Sequence, residues 1–86
     1  MANITKTQAK NRAEKIAEKL EELQQEIQDL AEELTEEADS VEPYEGKEEL
    51  TEQQEERIDW LNETADTLNE QADNLEEIVE NLNYLE

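Results

Sequence analysis

Cysteine, histidine and phenylalanine are absent from this 86-residue chain, and glycine, proline, methionine and tryptophan each occur once. Without cysteine or histidine there is no disulfide, no thiol nucleophile, no imidazole acid–base catalyst and almost no zinc or haem arrangement. No apolar run reaches the length of a signal-peptide core or a membrane span, and the stretch Met1 to Lys10 is polar, so a cytoplasmic protein is expected. Glycine and proline are the main breakers of helices. Their scarcity permits long uninterrupted ones, with one break where Pro43 and Gly46 lie close together. Positive charge is scarce too: 7 Lys and Arg stand against 27 Asp and Glu, a formal net charge of -20.

With 34% hydrophobic residues, the chain supports one small domain, residues 1–86, with a thin core. A disordered acidic tail would not hold its aliphatic residues in register over most of its length, and this chain does. Ala9, Ala13, Ile16, Leu20, Leu23, Ile27, Leu30 and Leu34 recur at alternating spacings of four and three, the pattern of a helix burying one narrow stripe. Thr5 and Gln8 have capping-box spacing, so this helix is expected over about residues 6–40.

Residues 41–50 break the pattern. Pro43 disfavours helical geometry at Glu42, and Gly46 can supply a positive φ for a reversal. Thr51 and Gln54 repeat the capping-box spacing, and a second seam follows as Ile58, Leu61, Ala65, Leu68, Ala72, Leu75, Val79 and Leu82, on a helix of about residues 52–85. A link this short forces two helices of roughly 50 Å antiparallel. The expected fold is therefore all-α, an antiparallel coiled-coil hairpin. Ala17, Ala31, Ile78 and Leu85 widen the apolar stripe beyond a two-helix seam, which would allow two hairpins to dimerise into a four-helix bundle.

Charge is distributed unevenly along this frame. Lys6, Lys10, Arg12, Lys15 and Lys19 give residues 1–20 a net +3, and the remainder carries -23. On the second helix Glu52, Glu56, Asp59, Glu63, Asp66, Glu70, Asp73, Glu77 and Glu80 form an unbroken row at spacings of three and four; Glu22, Glu26, Asp29, Glu33 and Glu36 form a shorter one on the first. Like charges at these spacings cost a helix roughly 0.2–0.5 kcal/mol per pair. Structural coiled coils mix Glu with Lys or Arg on their outer faces, and these rows do not. Folding back would set the basic start of the first helix beside Glu70, Asp73, Glu76, Glu77 and Glu80, where ion pairs are expected.

Trp60 and Tyr44 fall near the turn, where they either anchor a partner or pack on each other to cover it; Tyr84 is expected to pad the open end against the first helix. Asn62, Asn69 and Asn83 share one flank of the second helix and either hydrogen-bond across helices or are hydrated. Carboxylate pairs alone make neither a catalytic nor a metal site, because both need a concave, partly dry pocket, and the glycine-containing calcium-loop pattern is missing. No catalytic, cofactor-binding or metal-binding residues are expected.

The acidic surface repels nucleic acid and anionic membrane and favours a basic protein surface, such as that of a nuclease or another nucleic-acid-binding protein. A charge of -20 over roughly 50 Å averages about one per 2.5 Å, against one per ~1.7 Å in duplex DNA. In size and charge, though in no motif, the chain is similar to small acidic phage anti-restriction and anti-CRISPR factors. That likeness implies an inhibitor that mimics nucleic acid, acting in the host cytoplasm. The two acidic rows, with Trp60 and Tyr44, are its expected contact residues. The alternative is a structural coiled-coil subunit whose acidity keeps it soluble. An acidic chaperone of basic proteins is a third, and it would tolerate charge anywhere rather than in rows.

Overall fold

Both helices begin where the capping boxes lie. In the computed structural model, which describes residues 3–85, α1 spans Lys6–Ser40 and α2 spans Glu52–Asn83. The Thr5 hydroxyl accepts from the Gln8 backbone N–H at 3.1 Å and the Gln8 side chain accepts from the Thr5 N–H at 3.0 Å. Thr51 and Gln54 repeat both bonds. Each box satisfies two donors that a helix start would otherwise leave open. Glu52 and Glu55 in the first turn of α2 suit the positive end of its dipole. In α1 the first turn has no acid and the last turn no base, so its charge gradient runs against the dipole.

The helices lie antiparallel in a hairpin. Gly46 takes φ 82°, and the Lys47 N–H donates to the Tyr44 carbonyl at 2.9 Å, which closes the turn. The link is then tied down by Gln54, the one buried polar residue among those described: its Nε2 donates to the Glu42 carbonyl at 2.9 Å. Gln54→Glu keeps an oxygen for the Thr51 N–H but turns an acceptor toward the Glu42 carbonyl. The expected loss is about 1–3 kcal/mol, read from thermal unfolding by circular dichroism. An unchanged midpoint would show that the clamp contributes nothing.

The α2 seam runs as the spacing predicts. Gln54, Leu61, Ala65, Ala72 and Val79 are buried, and Ile58, Leu68, Leu75 and Leu82 half-buried. The α1 seam is displaced by one flank. Its buried residues are Ala13, Ala17, Ala31 and Ala38, with Leu20, Ile27 and Leu34 half-buried; Ala9 is exposed, and Ile16, Leu23 and Leu30, expected in the seam, are 45–51% exposed. The physical reason is fit. Small residues allow the backbones to approach, and both helices bury alanines in the seam: Ala17 and Ala31 of α1 are 1% exposed each, Ala65 and Ala72 of α2 2% and 0%. Turning α1 to bring in Ile16, Leu23 and Leu30 would hold the axes apart and leave those alanines without contacts.

Arg57 pairs with Glu37 across the helices, which places residues 37 and 57 at about the same level. Steps of seven, back along α1 and forward along α2, bring Leu30 level with Thr64, Leu23 with Gln71 and Ile16 with Ile78. The same register sets Leu34 by Leu61, Ile27 by Leu68 and Leu20 by Leu75. The molecule measures 70 × 23 × 14 Å, a flat rod one helix thick with two broad faces.

Candidate partner-binding surfaces

Three surface features follow from this arrangement: an acidic row on each outer edge, a basic end, and an apolar broad face. At 100° per residue, the α2 row Glu52 to Glu80 lies roughly opposite the α2 seam, and the α1 row Glu22 to Glu36 roughly opposite the α1 seam. All fourteen side chains are exposed. The rows therefore occupy opposite edges of the rod and do not merge into one surface. Within the α2 row a carboxylate recurs about every 5 Å along the axis.

The one ion pair among the described residues, Arg57 with Glu37, involves neither row. The closest polar support is a hydrogen bond of 2.9 Å from Gln25 Nε2 to Asp29 Oδ1. Among the described residues no group of three or more acids comes together to hold a metal ion. What the rows offer is an extended electrostatic edge. Over the 70 Å length, the net charge averages about one per 3.5 Å, half the duplex DNA density of one per ~1.7 Å and below the sequence-based figure.

The expected pairing of the basic start of α1 with the acidic end of α2 is not formed among the described residues. Asp73, Glu77 and Glu80 project from the back of α2, whereas Arg12 and Lys19 emerge on the broad face of α1 and Lys15 on its back. The two sets never meet across the seam. Arg12, Lys15 and Lys19 instead border a shallow groove with Ile16.

Trp60 and Tyr44 are 60% and 61% exposed, so both present most of their rings to solvent, and Tyr84 is more exposed still. Tyr84 therefore does not pad the open end. Asn62, Asn69 and Asn83 are exposed on α2 and make no side-chain hydrogen bond among the described residues.

The surface that sequence reasoning placed in the seam is the apolar one. Ile16, Leu23 and Leu30 each lie four residues before a half-buried seam residue, and Thr64, Gln71 and Ile78 stand in the same relation to Leu68, Leu75 and Leu82. In an antiparallel pair, positions offset from the seam in the same rotational sense emerge on the same face. All six therefore share one broad side of the rod. Trp60 and Leu85, also exposed, fall on that side of α2. Half-exposure of Ile16, Leu23, Leu30 and Ile78 leaves about 1 kcal/mol of burial unrealised in each. No helix among the described residues is long and apolar enough to cross a membrane.

No protein-family model, no curated protein and no solved structure matches this chain. The surfaces themselves carry the functional argument.

Proposed function

We propose that this chain is a non-enzymatic acidic rod that occupies the basic nucleic-acid-binding surface of another protein, such as a nuclease, and keeps nucleic acid out. This is the mode of action implied by its likeness in size and charge to phage anti-restriction and anti-CRISPR factors. The observation that carries the reading is the α2 row: nine exposed carboxylates along one edge, with no lysine or arginine paired to any of them among the described residues. Holding them there costs helix stability at every consecutive pair. Solubility needs only net charge and does not require that cost.

A basic groove that normally takes phosphates would gain from counterion release and long-range steering on meeting such an edge, with no bond to cleave. The row is sparser than a DNA strand, one charge per ~5 Å against one per ~3.4 Å, so flexible Lys and Arg side chains suit it better than a rigid phosphate cradle.

The test is capture of partners from a host lysate, with duplex DNA as competitor. A captured nucleic-acid-binding protein that DNA displaces is expected, with affinity falling about a hundredfold or more between 50 and 200 mM salt. Capture insensitive to both salt and DNA would overturn the reading. The second reading, a structural assembly subunit, is favoured by the apolar broad face, which a mimic acting alone does not need.

A further inference from the structure

We infer that the apolar broad face is covered by a second copy of this chain, packed face to face with the two turns at opposite ends, about a two-fold axis that runs across the rod over Leu23 of α1 and Gln71 of α2. Ile16, Leu23, Leu30, Trp60, Ile78 and Leu85 are each 45–60% exposed, and half-buried leucines lie four residues from several of them. Large apolar side chains exposed together on one face mark an interaction site.

The pattern of the face identifies the occupant. An isologous contact requires a surface complementary to itself. On α1 the open row is symmetric about Leu23, so a two-fold axis there sets Leu23 on Leu23 and Ile16 on Leu30 of the second copy. On α2 the corresponding row is centred on Gln71, setting Thr64 against Ile78 and bringing Trp60 to the level of the Leu82 to Leu85 end of the second copy. Counted in heptads from the Arg57–Glu37 pair, these two centres stand at about the same level of the hairpin. One axis therefore satisfies both helices at once.

The charges bordering the face are self-complementary about the same point. Arg12, Lys19, Glu26 and Glu33 lie on one heptad position of α1, basic in the first half and acidic in the second. The axis sets Lys19 against Glu26 and Arg12 against Glu33 of the second copy. This gradient opposes the α1 dipole and forms no ion pair within the described hairpin, so it has no evident use in one copy alone. The α2 acidic row, on the far edge, stays exposed.

The inference does not depend on the proposed inhibitory role, and salt separates the two. Screening weakens binding to a basic partner but strengthens association of two chains that each carry -20. Sedimentation equilibrium at about 100 μM in 0.15 M salt is expected to give twice the 10.0 kDa chain mass, with a larger dimer fraction at higher salt. The chain has no cysteine, so Leu23→Cys should form a disulfide-linked dimer by itself. Ile16→Cys should link only when mixed with Leu30→Cys. Glu26→Lys with Glu33→Lys should weaken the dimer at least tenfold without loss of helicity, and adding Arg12→Glu and Lys19→Glu should restore it. A mass of 10.0 kDa throughout overturns the inference and leaves the face to a different protein. Cross-linking of Leu23→Cys only to Gln71→Cys overturns it too, by placing both turns at one end.

Discussion

Changing Asp66, Glu70 and Asp73 together to lysine is expected to lower affinity for a basic partner at least a hundredfold while raising helicity. The three sit at the middle of the α2 row, exposed and unpaired. Reversal alters the charge by six units within about 11 Å of helix axis, using 1.5 Å per residue. Each close contact with a partner cation becomes a repulsion, and a hundredfold needs only about 2.7 kcal/mol across the three sites. Within the chain the sign is opposite: the new lysines stand three residues from Glu63 and four from Glu77, where repulsion becomes attraction worth a few tenths of a kcal/mol per pair. Weaker binding by a better-formed helix cannot come from misfolding. Calorimetric titration against the captured partner, with circular dichroism on the same samples, reads both. The control is Glu45, Glu48 and Glu49 of the turn, changed to lysine. It alters net charge equally but spares the row, and it should cost far less. Equal losses in the two triple variants would mean that total charge, not the row, does the binding.

How much of this was readable from the residues differs between the two helices. On α2 a single apolar stripe offers one choice of seam, and Ile58 through Leu82 occupy it. The starts of both helices and the positive φ at Gly46 were equally legible, because each depends on residues within four positions. On α1 two overlapping stripes compete: both contain Ala13, Leu20, Ile27 and Leu34, and they differ in taking Ile16, Leu23 and Leu30 or Ala17, Ala31 and Ala38. Hydrophobicity favours the former. The outcome is set by the facing helix, whose Ala65 and Ala72 reward close approach, and no local rule reports that. The same rotation decides where the charges point. The acidic rows were visible as rows, but their separation onto opposite edges and the failure of Arg12 and Lys19 to meet Asp73 and Glu77 depend on how each helix is turned about its axis.

Two adjacent residues of α1 test that rotation with opposite expectations. Ala31→Glu places a carboxylate in the seam at the level of Ala65, where both alanines are essentially buried. The carboxylate must either lose its hydration without a partner or force the helices apart, at about 3 kcal/mol or more. A hairpin whose core contains a single buried leucine, Leu61, among its described residues has little stability to lose. The variant is expected to be largely unfolded at room temperature. Leu30→Glu, one position away, gives up only the covered half of its side chain and adds a solvated charge near Glu26 and Glu33, together about 1–2 kcal/mol. Its hairpin should survive, with a modestly lower midpoint. Hydrophobicity alone ranks the two the other way, since it treats Leu30 as core and Ala31 as a dispensable flank. Thermal unfolding at about 1 μM, a hundredth of the concentration at which the proposed pairing is tested, isolates the hairpin from pairing. If Leu30→Glu proved the more damaging there, α1 would have to be turned by roughly 60° so that its leucines enter the seam. The apolar broad face would then vanish along with the reason for a second copy to bind it.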